Sequence, residues 1–240
     1  MIRSCICLFY ISLSAAAVVA VNDEADRLYA DRANLASARR AADLWRPASA
    51  GSGAEAFEAS WKLARADYWL GEHVPEAERR KIYEEGIAAG QRAIALQPKR
   101  PEGHFWVAAN MGAMAESFGL RQGIKYRKPV REALETVLRL DPAFMQGSAD
   151  RALGRWYFKV PGLFGGSDKE SEAHLRASLK YNANSSASHF FLAELFLDNN
   201  RKAEARTELQ TVIDAPLDPE WTPEDREFKE KARKALANLK

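Results

Sequence analysis

Two stretches of the chain end alike, AIALQP at 93–98 and VLRLDP at 137–142. Each closes an amphipathic helix with a proline, which cannot donate the next backbone hydrogen bond. A recurring helix ending is evidence of internal repetition, and repetition is a strong constraint on a fold. Each unit must bury its apolar face against the next one. Strand signals do not compete: alternating Val, Ile and Thr runs are nearly absent, and Ala, Leu, Glu, Lys and Arg dominate.

Small residues, needed where helix backbones approach, and large residues, needed between hairpins, recur in one register. Leu63-Ala64 and Leu70-Gly71 precede Gly86, Gly90, Ala93, Leu96 and Pro98; Met111-Gly112 and Phe118-Gly119 precede Val130, Leu134, Val137, Leu140 and Pro142. Leu153-Gly154 and Val160-Pro161 precede Ser171, Leu175, Ser178 and Tyr181. Leu192-Ala193 and Asn199-Asn200 precede Ala205, Leu209, Val212 and Ala215. This is the pattern of the tetratricopeptide (TPR) helical hairpin of about 34 residues. It predicts an all-α, TPR-like helical-hairpin solenoid, with hairpins near 53–98, 101–142, 146–183 and 186–217. ASARRAADLWRP at 36–47 reads as the second helix of an incomplete leading repeat. TPEDREFKEKARKALANLK, with Thr222 as N-cap and Pro223 at the first helical position, reads as a capping helix over 223–239. The expected organisation is one TPR-like domain over 21–240.

The first residues stand outside that register. Met1–Arg3 is positive, and the uncharged run CICLFYISLSAAAVVA leads to Ala20, a plausible cleavage point, so 1–20 reads as a signal peptide. The run is short for a spanning helix, and an uncleaved anchor is the alternative. Both cysteines, Cys5 and Cys7, fall inside it, so the expected mature chain has no thiol chemistry. The 35 basic and 33 acidic residues nearly balance, which gives no reason to expect nucleic acid as a partner.

Measured against the TPR register, three hairpins carry extra residues between first and second helix: EHVPEAERRK, LRQGIKYRKP and the stretch around PGLFGGS. Insertions gathered on one edge of a repeat array often form its binding face. The first insertion is expected to lengthen a helix. The second places Arg121, Lys125, Arg127 and Lys128 around Tyr126, a cationic group able to dock an acidic partner. The third exposes Leu163 and Phe164 between proline and glycine, and these six residues are the expected partner-binding set. Ser167 and Glu170 form a capping box that explains the helix start without a ligand. A phosphate site at Gly165-Gly166-Ser167 is disfavoured, because no strand precedes it and Asp168 and Glu170 are negative.

The segments GRWYFKVPG, the GGS helix start and SHFFLAE, together with GHFWVAANMGAMAESFGLRQGIKYRKPVREALETVLRLDP, resemble the T component (TatT) family of TRAP-type transporters. GRWYFKV is also similar to the regulator-of-microtubule-dynamics proteins, against which an export signal argues. The first resemblance implies a non-enzymatic periplasmic accessory protein. It would bind the transporter's periplasmic solute-binding protein, form a homo-oligomer, and pass a hydrophobic ligand. A general TPR scaffold for envelope assembly or secretion, with no ligand of its own, is the alternative.

The remaining constellations are weak. His73, His104, His174 and His189 lack the close pairing of metal ligands, and no nucleophile sits with an acid–base pair, so no metal, cofactor or enzymatic activity is expected. Trp156 and Phe158 flank Tyr157 and cannot all face one direction at about 100° per residue. Phe105, Trp106, Asn110, Trp156 and Phe190 are therefore the expected lining of a ligand or peptide groove.

Overall fold

The computed structural model describes residues 23–239, which places the signal-peptide segment outside the described residues. All regular structure among them is helical. Helix α1 covers 23–30, followed by α2 (Leu35–Ser49), α3 (Gly53–His73), α4 (Glu76–Leu96), α5 (Pro101–Ser117) and α6 (Leu120–Leu140). Then come α7 (Phe144–Lys159), a short 3-10 turn at Gly162–Phe164, α8 (Asp168–Ser178), α9 (Ser186–Asp198), α10 (Lys202–Asp214) and α11 (Thr222–Asn238). Helices α3 and α4, α7 and α8, and α9 and α10 pack against each other as consecutive pairs. The chain divides into two compact units at Ala113 and Met114, a point inside α5.

In the N-terminal unit α2 packs on α3, and α3 on α4. Asn34 caps α2 by accepting from the Ala36 amide (3.1 Å). At the other end of α2, Arg92 of α4 donates to the carbonyls of Ser49, Ala50 (2.7 Å) and Gly51 (3.2 Å), which would otherwise be unpaired at the helix end. Trp69 of α3 donates to the Arg32 carbonyl (2.8 Å), and Lys62 pairs with Asp26 (2.6 Å), so α1 and the turn after it are held to α3. The small residues of the register are where backbones approach. A Cβ on Gly90 would lie 2.5 Å from Val107 Cγ2, and one on Gly71 would run into the Tyr83 ring.

In the C-terminal unit, α6, α7, α8, α9 and α10 each pack on the next helix in order, and α11 returns onto α10 and α9. Leu175, Leu192, Leu195, Phe196 and Ala205 form one core cluster, with Phe158 and Phe191 packed against it. Ala193, Leu209, Val212 and Ala232 form a second, covered by Phe190, Phe228, Leu236 and Leu239. Helix α11 therefore packs Phe228, Ala232 and Leu236, with its C-cap Leu239, against α9 and α10. Its start differs by one residue from expectation: Trp221 is the N-cap, and the Thr222 hydroxyl donates back to the Asp218 carbonyl (2.8 Å).

Within α7, Met145, Gln146 and Gly147 are left-handed (φ 44°, 58° and 73°), so its regular right-handed turns begin at Ser148. Gln146 accepts from Asn182 (2.5 Å) and donates to Asp218 (2.9 Å). Three chain segments meet on that one amide, which stabilises a backbone shape that costs about 1 kcal/mol or more per non-glycine residue.

Candidate functional site

The three insertions have three different structures. The first lengthens helices, as expected: α3 continues to His73 and α4 starts at Glu76, with only Val74 and Pro75 between. The second is not a turn. Helix α6 begins at Leu120, so Arg121, Lys125, Arg127 and Lys128 lie on its first turns, and Pro129 sits inside the helix. This corrects the expectation that they form an inserted loop. Gly119, with φ 76°, ends the preceding segment, and the chain resumes helical geometry at once.

The third insertion is a true loop. Pro161 leads into the 3-10 turn, Gly165 is left-handed (φ 104°), and the Ser167 amide donates to the Tyr157 carbonyl (2.9 Å). Gly166 donates to the Pro161 carbonyl (3.3 Å). The Ser167 hydroxyl then accepts from the Glu170 amide (3.3 Å), the anticipated cap of α8. These backbone bonds hold the loop against the end of α7 and leave Leu163 90% exposed at its tip. Phe164 is half-buried, with the Arg127 guanidinium 5.1 Å from its ring centre. Trp156 donates to the Arg127 carbonyl (2.9 Å) and lies under Gly165, so loop, α7 and α6 are tied together. On α6, Leu120 is 69% and Ile124 47% exposed. Arg121, Lys125 and Lys128 are exposed too, and no carboxylate occurs from 120 to 131. The result is one apolar and cationic surface.

The expected groove residues lie elsewhere. In the N-terminal unit Phe105 and Trp106 are buried core residues, stacked edge to face at 5.0 Å. Asn110 is 0% exposed and donates to the carbonyls of Ala64 (2.9 Å) and Trp106 (2.8 Å), while its Oδ1 is buried without a hydrogen-bond partner. In the C-terminal unit Trp156 is buried beside Tyr157, and Phe190 packs on Phe228 at 5.5 Å. Phe105, Trp106, Asn110 and Trp156 are thus buried, and Phe190 is partly buried against the second core cluster.

On the first helices of the C-terminal unit, Arg155 of α7 bonds Glu116 at the end of α5 (2.7 and 3.0 Å) and Glu194 of α9 (2.9 Å). The three residues are 39 positions apart, one repeat to the next. A cleft of about 410 Å³ is lined by Asp168, Lys169, Glu172, Leu195, Asn199 and Arg201. Its charged lining, with Arg201 already paired to Glu172 and Glu204, is unsuited to a hydrophobic ligand.

The histidines are engaged structurally. His174 bonds Asp150 (2.7 Å) and stacks on Tyr157, and His189 reaches Glu208 (2.5 Å) and the Ala183 carbonyl (2.9 Å). Among the described residues no three His, Asp or Glu side chains converge as a metal set, and no helix is long and apolar enough to cross a membrane.

The solved structure of a thermophilic TPR protein from Thermus thermophilus resembles this chain with a TM-score of 0.63 at 18% identity, covering 90% of this chain and 99% of that one. That likeness shows the TPR fold. No curated protein matches the chain. The sequence model described as Regulator of microtubule dynamics protein 1-3 matches residues 21–164, more than half of the chain, including the GRWYFKV segment and the loop to Phe164. The chain thus belongs to the regulator of microtubule dynamics 1-3 family, the second of the two families its sequence resembles.

Proposed function

We propose that this chain is a non-enzymatic interaction scaffold that docks a protein partner through Leu163, Phe164 and the cationic first turns of α6. The observation that carries the reading is Leu163. A large apolar side chain stands 90% exposed on a loop whose backbone is held by its own hydrogen bonds. Exposed apolar residues gathered beside uncompensated charge mark interaction sites rather than surface noise.

The finer reading is an exported, periplasmic accessory protein of a TRAP-type transport system, with the solute-binding protein as partner and a homo-oligomer as the working form. It is supported by the TatT resemblance and by the signal-like 1–20 segment. The hydrophobic ligand implied by that resemblance has no support from Phe105, Trp106 and Asn110, which are core residues. A scaffold for envelope assembly shares the same surface but has a different partner. Family membership favours a further reading, a part in regulating microtubule dynamics.

The test measures binding of the purified full chain to a TRAP solute-binding protein and, in a parallel arm, to polymerised tubulin. The Leu163→Asp, Phe164→Asp double variant should lose the solute-binding protein while keeping its helical melting profile. Unchanged capture by the double variant would remove the loop from the reading. Binding of tubulin alone would replace the transport partner with the cytoskeletal one.

A further inference from the structure

We infer that the exposed face of α6 is a seam for a partner helix that is itself amphipathic and acidic. The inference rests on the scaffold reading and names the chemistry of the partner. At about 100° per residue, Leu120, Ile124 and Arg127 share one stripe, spaced i, i+4, i+7. That is the spacing by which one helix presents itself to another along a shallow crossing.

Residues one position on, Arg121, Lys125 and Lys128, form a flank on the solvent side of the stripe. All three are positive. In a paired helix such flanking positions select a partner by charge, so the complement must carry Asp or Glu there. Phe164 stands beside the stripe at Arg127, and the exposed Leu163 precedes it in the chain.

The charge placement is hard to explain by stability within the chain. The first turn of α6 has no acidic residue, and Arg121 and Lys125 stand near the positive end of the helix dipole. Among the described residues neither makes an ion pair; Lys125 donates to the Tyr126 hydroxyl (3.0 Å), and Lys128 reaches Glu132 at 3.6 Å. Elsewhere in this unit Arg131, Arg155, Arg176 and Arg201 all hold carboxylates. An acidic helix laid along α6 would supply the missing counter-charge and cover Leu120 and Ile124 together.

The test uses the full chain and three probes. These are a synthetic amphipathic helix with Leu at its seam and Glu on its flanks, the same helix with Lys for Glu, and phosphatidylcholine vesicles containing phosphatidylglycerol. The wild-type chain should bind the Glu helix at least about tenfold more tightly than the Lys helix, with the gap shrinking in salt. Reversing the flank (Arg121→Glu, Lys125→Glu, Lys128→Glu) should swap that preference, an outcome misfolding does not produce. Leu120→Ala with Ile124→Ala should weaken both. Equal binding of the two helices, a flank reversal without a swap, or binding to vesicles but not to the Glu helix would each overturn the inference. If a solute-binding protein is captured equally by the reversed chain, the acidic-helix seam fails while the scaffold stands. If the preference swaps but no solute-binding protein is captured, the seam stands and the named partner fails.

Discussion

Gly166 lies so close to Val160 that a Cβ added to it would sit 1.6 Å from the Val160 carbonyl oxygen and 3.0 Å from that of Tyr157. Both obstacles are backbone and cannot rotate away. Gly166→Ala must therefore push the loop off the end of α7 and break the hydrogen bond that Ser167, the N-cap residue of α8, donates from its amide to the Tyr157 carbonyl. We expect a loss of about 2–4 kcal/mol in chemical denaturation, with the Ser167 amide losing hydrogen-exchange protection first. Gly162 is the control, since nothing lies within 4 Å of its added Cβ. Equal, small effects for Gly162→Ala and Gly166→Ala would show that the loop is not clamped in this way.

Asn110 and Gly86 are a coupled pair in the N-terminal unit. A Cβ on Gly86 would meet the Asn110 carboxamide oxygen at 2.3 Å, while the amide nitrogen is committed to Ala64 and Trp106. Asn110→Ala loses those two bonds and leaves a void, and Gly86→Ala overpacks; each should cost about 1–3 kcal/mol. The void of the first is the space the second needs. The double variant should then be more stable than the sum of the two losses by about 1 kcal/mol, as a double-mutant cycle reads it. Strict additivity would mean that the two sites relax independently.

How far the sequence alone leads differs by feature. The hairpins were legible because small residues mark where backbones approach: Gly86, Gly90 and Gly154 each leave room for a neighbouring side chain that a Cβ would strike. The start of α6 was not, because Gly119 and Pro129 bracket it as a turn would be bracketed. A proline inside a helix runs against local propensity, and the burial of Tyr126 and Val130 on either side of it is not a local signal. Leu163 and Phe164 were legible as an apolar loop between helix-breaking residues. The burial of Asn110 was not, because spacing says that it lies on α5 but not that its amide finds the carbonyls of Ala64 and Trp106. The left-handed run at Met145 and Gln146 leaves no trace beyond Gly147.

Asp67 of α3 is 1% exposed, and its Oδ2 has no hydrogen-bond partner. Burial holds its carboxyl well above the usual carboxylate range; Arg46 opposes this, while Glu85 and Asp43 add to it. For a folded value raised above the unfolded one, the relative stability is fully present below the ordinary carboxylate value and is lost as pH rises through the folded value. Asp67→Asn keeps the neutral shape without the proton. The variant should match the wild type near pH ~4 and be more stable at neutral pH and above, with the gap widening across that window. A wild type more stable than the variant at pH ~8 would mean that the carboxylate is solvated or paired.

His189 also has a raised value, but through its partners rather than through burial. Nδ1 faces the Glu208 carboxylate and Nε2 faces the Ala183 carbonyl, so both ring nitrogens meet acceptors, and only the imidazolium can donate to both. Burial lowers its proton affinity, but Glu208 and the Ala183 carbonyl together outweigh burial and leave the value raised above the ordinary one. The stability this contributes is fully present below about pH 6.5 and is lost as pH rises through the raised folded value. The wild type should lose melting temperature relative to His189→Gln on passing from pH ~6 to pH ~9, and the His189 ring resonances should titrate above those of an exposed histidine. A His189 ring that titrates below an ordinary histidine would mean that burial wins over its two acceptors, and the expected slope would then vanish.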